Sequence, residues 1–440
     1  MTQPVHLIRR RVPLSEILVK VIGLMQKQGE YLDISTLTIL CRVSKDLHCI
    51  VPNLIDNCKS LDLSIGKLGY NLDTINSFIP LFLRMHGLTS LNISNNHIVS
   101  EGTIALTSSL SRMTGLTHLY INGIYSLAFE QSGIALEQMF SCMTKLTYLD
   151  FSRNNIDALI PSLVHMKNLT YLNLSTTHIN ADNIAALGQN LIHLINLREL
   201  DLSYSRDFHV TKAETLVQNL LRMTTITKLN LVAVSSNSAL PQYERINESS
   251  IITLVQSLKH MTQLTDLDLS ENFAQFNDHI QHKLVSSLVV LTDLTALTLR
   301  NNYINAEHAI ALALNFKYMK NLTKLYLGRN FIGPKGATAI GQNLIHLINL
   351  THFCIGWNNI GSQGGKAIAE GLTHLKNLKY LDISYIDVYF DIAKILAQNI
   401  THLKNLTYLN FISDDNYIDR KNIKRLIEII APRRHLKIHI

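Results

Sequence analysis

The sequence predicts an α/β solenoid in which each unit adds one short β-strand and one α-helix. Two observations lead to this prediction. The pattern Leu-x-x-Leu-x-Leu, with Ile or Phe at some positions, recurs twelve times along the 440 residues, at intervals of 23 to 38 residues and most often 28. The ten residues GQNLIHLINL also occur twice, at Gly188–Leu197 and at Gly341–Leu350. Repetition at this period is typical of chains whose units pack only on their neighbours.

Within each unit, the Leu-x-Leu alternation predicts a short strand with one buried face. The segments that follow, such as AEHAIALALNFKYM, switch to the apolar spacing of a helix. One strand and one helix cannot close a core, so successive units should stack into a parallel sheet covered by a layer of helices. The strand patterns begin at Leu88, Leu116, Leu146, Leu169, Leu197, Ile226, Leu264, Leu294, Leu322, Leu350, Leu378 and Leu406.

These units resemble leucine-rich repeats. The unit LTHFCIGWNNIGSQGGKAIAEGLTHLKN looks like the long subclass found in ribonuclease inhibitor and the Ran GTPase-activating protein. The resemblance implies a leucine-rich-repeat horseshoe with a parallel β-sheet on the concave face and α-helices on the convex face. Residues 58–440 would form this solenoid, with about 12 repeats of about 28 residues and a longer repeat at 226–263. The near-identical repeats are also similar to those of leucine-rich-repeat effectors that intracellular bacteria inject into host cells.

An asparagine follows the strand pattern in half of the units. Its side-chain amide can satisfy backbone groups where the strand turns away, which is a structural role. The stretch 272–358 should be the most regular, because four consecutive units in it carry the residue. These asparagines are Asn96, Asn154, Asn272, Asn302, Asn330 and Asn358.

The repeated decapeptide falls where a convex helix runs into the next strand. Gln189 and Gln342 should therefore face solvent, while the leucines and isoleucines of both copies should fill the space between helix and sheet. The decapeptide is interpreted as a packing module that carries no chemistry.

A different pattern precedes the repeats, and it predicts a small α-helical N-terminal cap over residues 1–57. Pro13 can start a first helix and Asp33 can cap a second. The strings VPLSEILVKVIGLM and DISTLTILCRVSKDL resemble an F-box, which implies binding of the adaptor Skp1. The segment either only caps the solenoid or also docks Skp1. The adaptor-binding residues would be Pro13, Leu14, Glu16, Ile17, Leu18, Leu37, Leu40 and Val43.

Motifs for catalysis are missing from the sequence. It holds no phosphate-binding glycine loop, HExxH or nucleophile elbow, so we expect no enzyme activity, cofactor or metal. The 5 cysteines have no ligand-like spacing and indicate a reducing compartment. A net charge of +7 with only 17% charged residues is a mild bias, so no nucleic acid is expected. Without a signal peptide or membrane span, the chain is expected to be a cytosolic monomer that does not contact membranes.

Residues between the leucines of each strand should point to a ligand on the concave face. Acidic residues gather in the middle units, which favours a partner that presents Lys or Arg. Aromatic residues gather in the last four units, and such rings are usual anchors of protein interfaces. The predicted partner-binding residues are Tyr148, Asp150, Tyr171, Glu199, Asp201, Asp266, Asp268, Tyr326, Trp357, Tyr380, Asp382 and Tyr408.

The leading functional hypothesis is non-enzymatic protein recognition by the solenoid. With the F-box resemblance, it becomes a substrate receptor that recruits a target to a Skp1–cullin ubiquitin ligase. If the chain is a bacterial effector, it would act in the host cell cytoplasm. Two alternatives stay open, namely a small-GTPase regulator resembling the Ran activator and an occluding inhibitor resembling ribonuclease inhibitor.

Overall fold

The computed structural model divides into two compact units, Met1–Leu149 and Asp150–Ile440. The predicted N-terminal cap and all eight predicted adaptor-binding residues lie outside the residues that the structure describes. Described are residues 59–64, 79, 82–83, 85–96, 98, 100–124, 130–179, 183–204, 213–220, 222–232, 248–273, 278–386, 390–412 and 436–439.

The first unit alternates three-residue strands with helices. Strands β1, β2 and β3 pair in parallel, so that Leu61, Leu91 and Leu119 lie in one row. Strand β4 ends this unit and its last residue opens the second. The elements are β1 Ser60–Asp62, β2 Ser90–Asn92, α1 Ser100–Leu110, β3 His118–Tyr120, α2 Glu130–Cys142 and β4 Tyr148–Asp150.

The second unit repeats the same alternation. Its strands β5 to β14 pair in parallel, each with the next along the chain. The strands are β5 Tyr171–Asn173, β6 Glu199–Asp201, β7 Lys228–Asn230, β8 Asp266–Asp268, β9 Ala296–Thr298, β10 Lys324–Tyr326, β11 His352–Cys354, β12 Tyr380–Asp382, β13 Tyr408–Asn410 and β14 Lys437–His439.

Helices follow most of these strands. They are α3 Asn183–Leu191, α4 Ala213–Leu220, α5 Glu248–Leu258, α6 Asp278–Ser287, α7 Ala306–Asn315, α8 Gly333–Asn343, α9 Gly361–Leu372 and α10 Phe390–Ile400. The predicted fold class, parallel strands alternating with helices in an α/β solenoid, is confirmed.

One repeat departs from this scheme. The 23-residue interval after Leu146 carries a 3₁₀-helix, Ile160–His165, where its neighbours carry an α-helix. A short repeat leaves little chain for a second element, and Pro161 at the start of the segment lacks an N–H for an α-helical bond.

The core of each unit lies between sheet and helices. The middle residue of strands β1 to β13, such as Leu200, Leu325 or Phe353, is at most 2% exposed. Its two neighbours in the strand point to the opposite face, because side chains alternate along a strand. The burial of the leucine row therefore determines which residues form the outer face of the sheet.

The predicted asparagine ladder is confirmed. Asn330 donates through Nδ2 to the backbone oxygens of Leu299 and Leu327, both at 2.9 Å. Its Oδ1 accepts the backbone N–H groups of Asn302 at 2.9 Å and Ile304 at 3.1 Å. These bonds join one repeat to the one before it. Because they satisfy the donors and the acceptor of the amide, the side chain can be buried without the free-energy penalty of an unpaired polar group.

The twin decapeptides occupy equivalent positions, at the ends of α3 and α8. Gln189 and Gln342 are exposed and the leucines of both copies are buried, as predicted. The prediction for the isoleucines was wrong. Ile195 is 62% and Ile348 is 57% exposed, because each falls in the turn beyond the helix, where only the leucines reach the core.

Each decapeptide begins with a glycine at a helix contact. A Cβ atom on Gly188 would lie 2.6 Å from the Cα of Leu216, and one on Gly341 would lie 2.4 Å from the carbonyl carbon of Ala367. Only glycine fits at both positions, because the backbone of the next helix passes at contact distance.

Among the described residues, no helix is both long and apolar enough to cross a membrane.

Candidate protein-binding surface

The outer side chains of strands β5 to β14 form the candidate surface of the second unit, here called the strand face. Residues at the first and third positions of each strand align in two columns, as the strand registers show. Tyr171, Glu199, Asp266, Tyr380 and Tyr408 lie in the first column. Asp201, Asp268, Tyr326 and Asp382 lie in the third-position column. The sequence therefore predicted the alignment of these residues.

Several acidic residues of the third position have a backbone role. The Oδ1 atom accepts the N–H of the residue two positions on, at 2.9 Å for Asp201 and Asp268 and at 3.1 Å for Asp382. The following serine hydroxyl donates to the same oxygen in each case. Asp150, the first residue of this unit, has the same pair of bonds. These carboxylates close the turn that ends each strand, so their presence alone does not indicate a ligand.

Asp266 differs from them, because no backbone N–H donates to its carboxylate among the described residues. It lies beside Lys228 of β7, and Lys324 lies beyond the small residue Ala296 of β9. Burial raises the pKa of Asp266, while the two lysines act in the opposite direction. The carboxylate is therefore held in a partly desolvated position that the nearby cations do not fully compensate.

Charges on the middle strands are mixed but acidic on balance. Lys228 Nζ forms a salt bridge with Glu199 Oε1 at 2.6 Å, and both groups are half-exposed. Burial raises the pKa of Asp268, against the hydrogen bonds from Ser270 that lower it. The predicted acidic surface is thus present, and it also contains two lysines that the acidic pattern alone did not show.

A shallow cavity of about 270 Å³ lies on these middle strands. Its lining includes the predicted residues Tyr171, Glu199, Asp201, Asp266 and Asp268, together with Lys228, which is paired with Glu199. The structure therefore brings five of the predicted residues to one place. Such a cavity can receive a long cationic side chain, whose charge is complementary to the four carboxylates.

Aromatic residues continue the strand face at β11 to β14. The rings of Tyr380 and Tyr408 stack at 4.6 Å with an interplanar angle of 4°. His352 stacks on Tyr380 at 5.7 Å, and His439 lies 5.1 Å from Tyr408. Because neighbouring rings cover each other's faces, this row presents ring edges and hydroxyl groups to a partner.

The phenol groups of this region keep their protons. Burial and the nearby Asp382 raise the pKa of Tyr380 to about 12. Burial also raises the pKa of Tyr326. Both hydroxyls therefore remain hydrogen-bond donors at neutral pH.

Two strand-face positions are closed to a partner. Ala296 is 5% and Cys354 is 2% exposed, because larger neighbouring side chains cover them. Burial raises the pKa of the Cys354 thiol to about 12, and Asp382 contributes in the same direction. The thiol is therefore protonated and is not a nucleophile at neutral pH.

Trp357 was predicted on the concave face with the strand residues, but it does not lie in a strand. Strand β11 ends at Cys354, and Trp357 lies in the turn that follows it. Its backbone φ is 62°, in the left-handed region, so its side chain does not belong to either strand column. Strand alternation gave no reason to select Arg329 and Tyr385, which contact Trp357 from the equivalent turns of the neighbouring repeats.

Tyr148 belongs to the first unit and has its own aromatic neighbours. Its ring stacks on His118 at 5.7 Å and lies 4.8 Å from Tyr120. The Thr117 hydroxyl is 2.9 Å from Nδ1 of His118, which orients that imidazole. The same Thr, His and Tyr arrangement recurs at Thr351, His352 and Tyr380 in the second unit.

Comparison with known proteins agrees with this architecture. Family models described as leucine-rich repeats match residues 86–106, 145–166, 318–341 and 346–369. No curated protein matches the chain in sequence.

Solved structures resemble the chain at low sequence identity. The yeast Rad7 and Elc1 complex contains a chain with a TM-score of 0.52 and 17% identity, and the match covers 97% of both chains. An internalin from Listeria monocytogenes has a TM-score of 0.49 and 17% identity over 87% of this chain and 95% of its own. A Leptospira interrogans leucine-rich repeat protein has a TM-score of 0.46 and 18% identity over 88% and 97%.

The strands and helices alternate with the period of the sequence pattern, and the family-model matches follow the same period. At 17% identity, the yeast neighbour supports the fold alone. On this evidence, the matched segments are leucine-rich repeats and the chain has the fold of a leucine-rich-repeat solenoid.

Proposed function

We propose that this protein is a non-enzymatic recognition scaffold that binds a basic segment of another protein on the strand face of its second unit. The observation that carries the proposal is Asp266. Among the described residues, no backbone N–H donates to its carboxylate, and burial raises its pKa although Lys228 and Lys324 are near. A Lys or Arg of the partner would supply the compensating charge that the free protein lacks.

The aromatic row of β11 to β14 supports a protein ligand. Tyr380 and Tyr408 offer hydroxyl groups and ring edges, which suit peptide groups and side chains. A nucleobase would need an open ring face for stacking, and the rings cover those faces themselves. Within the fold, rigid strands hold these groups in place, so little side-chain entropy is lost on binding.

The central test is affinity capture from a eukaryotic lysate with three versions of the full chain. The intact chain should retain a partner that the Asp266→Lys variant loses. An Asp293→Lys variant serves as the matched control, because it makes the same charge change at an exposed position outside the strand columns. A partner retained equally by all three versions would mean that the strand face is not the binding site.

The N-terminal segment adds a second part to the proposal, namely docking of Skp1, with the protein acting as a substrate receptor in the cytosol of a eukaryotic cell. This part rests on the F-box resemblance of residues 12–47. Skp1 should bind the intact chain and should be lost when Leu14 and Ile17 are both changed to Ala. If purified Skp1 does not bind the intact, folded chain, the receptor role is wrong while strand-face binding can still stand.

The non-enzymatic assignment has its own test. The Cys354 thiol of the strand face is buried and protonated, so it does not act as a nucleophile at neutral pH. The protein should leave GTP hydrolysis unchanged when it is added to a panel of small GTPases. Acceleration of any member would replace the scaffold role with that of a GTPase regulator.

A further inference from the structure

A second candidate surface lies beyond the carboxyl ends of the strands. At the ladder positions that the structure describes, the preceding residue has a positive φ, between 51° and 64° in the second unit. Glycine and asparagine adopt this conformation easily, whereas bulky residues do so at a steric cost. The residues at this position are Arg153, Thr176, Tyr204, Glu271, Asn301, Arg329, Trp357 and Tyr385.

Three consecutive members of this row contact one another. The Arg329 guanidinium lies 5.2 Å from the ring centre of Trp357, over its face. Tyr385 stacks on the indole with ring centres 3.8 Å apart. Both faces of the indole are thus covered, yet Trp357 remains 45% exposed. The exposed part is therefore its edge.

The polar groups of this cluster are hydrogen-bond donors. The guanidinium has five N–H donors, the indole has one, and the Tyr385 hydroxyl can donate. Among the described residues, none of these three side chains has a hydrogen-bond acceptor as a partner, and no carboxylate lies within 4.0 Å of the Arg329 guanidinium. Glu271 interacts with Arg329 only at longer range, where the guanidinium acts to lower the pKa of the Glu271 carboxyl against the effect of burial. The cluster therefore offers donors and one positive charge to an incoming acceptor.

Apolar surface lies beside these donors. Phe331, which follows Arg329 by two residues, is 58% exposed, and Tyr303 of the preceding repeat is 47% exposed. Their rings meet edge to face at 4.9 Å. Exposed aromatic rings next to Arg and Trp have the composition of an interface centre.

We propose that Arg329, Trp357 and Tyr385, with Phe331 and Tyr303, form a second protein-binding surface. Its occupant is an acidic protein segment in which a carboxylate lies next to an apolar side chain. The carboxylate accepts from the guanidinium and the indole N–H, and the apolar side chain covers Phe331. Charge separates the two surfaces, because the strand face is acidic at its centre and this edge carries a cation.

The single tryptophan of the chain lies in the proposed surface and reports binding directly. The probe is a synthetic peptide of alternating Glu and Phe residues, compared with the same peptide carrying Gln in place of Glu. The Glu peptide should shift the emission of Trp357 saturably, and the Gln peptide should bind about tenfold more weakly because it lacks the charge. Arg329→Asn should weaken binding of the Glu peptide by about the same factor.

Asparagine is chosen because it tolerates positive φ, so the variants should keep the fold, as their unfolding midpoints will show. Arg153→Asn is the matched control, since Arg153 is exposed at the equivalent position with a φ of 58° and should not affect binding. Trp357→Asn, measured by calorimetry with the Glu peptide, should lose binding. Asp266→Asn should leave binding unchanged, which separates this surface from the strand face.

Four results would overturn the proposal. These are no saturable response to the Glu peptide, equal binding of the Gln peptide, unchanged binding by Arg329→Asn, and displacement of the peptide by inorganic phosphate that itself shifts the emission. The last result would reveal a general anion site that does not select a protein segment.

Discussion

The acidic residues of the strand face differ in the hydrogen bonds and ion pairs that their carboxylates form within the protein. Asp201, Asp268 and Asp382 each accept a backbone N–H at the end of a strand, which is a structural role. Glu199 is paired with Lys228. Among the described residues, the Asp266 carboxylate has neither a hydrogen bond from the backbone nor an ion pair within 4.0 Å, so Lys228 and Lys324 compensate its burial only in part. Groups of this sort are usually retained for function at the expense of stability.

Asp266→Asn should therefore make the free protein more stable and weaken partner binding. The folded state raises the pKa of this carboxyl above 3.8, so the charged form present at neutral pH disfavours folding. We expect the unfolding midpoint to rise by about 1 to 3 °C at pH 7. The difference between variant and parent should vanish as the pH falls below about 4, where the aspartate is neutral too.

Thermal unfolding of both proteins at several pH values measures this effect. Asp293→Asn, at an exposed position, is the control and should not change the midpoint. A lower midpoint for Asp266→Asn at pH 7 would mean that the lysines compensate the charge after all.

The buried His308 should lower the stability of the protein at acidic pH, whereas the Asp266 carboxylate lowers it at neutral pH. Burial lowers its pKa below 6.5, although the hydrogen bond with the carbonyl of Asp278 acts against this. Nδ1 accepts the backbone N–H of Asn305 at 3.4 Å, and Nε2 lies 3.2 Å from the Asp278 oxygen, an arrangement that requires the neutral ring. As the pH falls through 6.5, the unfolded chain takes up a proton that the native state resists, so the free energy of unfolding should decrease.

His308→Gln should reduce this loss of stability between pH 7.5 and pH 5. Glutamine keeps an acceptor for the N–H of Asn305 at the third position of helix α7 and does not titrate. Some dependence should remain, because burial also lowers the pKa of His352. Denaturant unfolding across this pH range tests the prediction, with exposed His279→Gln as a control. An unaltered pH profile for His308→Gln would contradict it.

At the scale of elements, glycine determines how closely adjacent helices approach. Gly341 of α8 meets the backbone of Ala367 in α9, and Gly371 of α9 lies against the carbonyl oxygen of Gly341. The twin decapeptide carries the same contact between α3 and α4 through Gly188. The regularly spaced leucines form the core of each repeat, and these glycines determine how close the helix of the next repeat can lie.

Gly341→Ala should therefore destabilise the second unit. The new methyl group would lie 2.4 Å from the carbonyl carbon and oxygen of Ala367, so α8 and α9 would have to separate. Overpacking of this kind costs about 1 to 3 kcal/mol. Gly115→Ala is the control, since a Cβ there would lie no closer than 3.6 Å to its neighbours. Chemical denaturation compares the two, and equal stability of Gly341→Ala and the parent would show that the helices adjust freely.

At the scale of the whole chain, the asparagine ladder distributes stability unevenly. Asn272, Asn302, Asn330 and Asn358 occupy four consecutive repeats, and each joins its repeat to the preceding one through buried hydrogen bonds. In the repeats of β5 and β12, by contrast, the ladder position holds Thr177, whose hydroxyl donates one hydrogen bond, and the apolar Ile386. Repeat stability depends on such contacts between neighbours.

Hydrogen exchange should therefore be slowest in strands β8 to β11. Backbone amides there, such as those of Asn302 and Ile304, are buried and bonded to the ladder. Exchange followed by mass spectrometry should show weaker protection in β5 and β6 of the same unit. Equal protection across all strands would indicate that the unit opens as a whole and that the ladder does not localise stability.

The sequence was sufficient to predict the repeat, the row of buried leucines and the register of the strand face. Each of these follows from local periodicity, because a side chain in a strand points either to the core or away from it. The ladder asparagines were also predictable, since a buried amide at a strand end must bond to the backbone. The F-box resemblance stays a prediction, because its residues lie outside the described part of the chain.

Contacts between turns of different repeats were not predictable in this way. The exposure of Ile195 and Ile348, the stack of Arg329 on Trp357 and the isolation of Asp266 depend on where irregular backbone directs each side chain. Periodicity places a residue on a face of a strand or helix, but it gives no direction for a turn residue with positive φ. That direction, and the burial of charge by neighbouring repeats, arise only when the repeats are packed together.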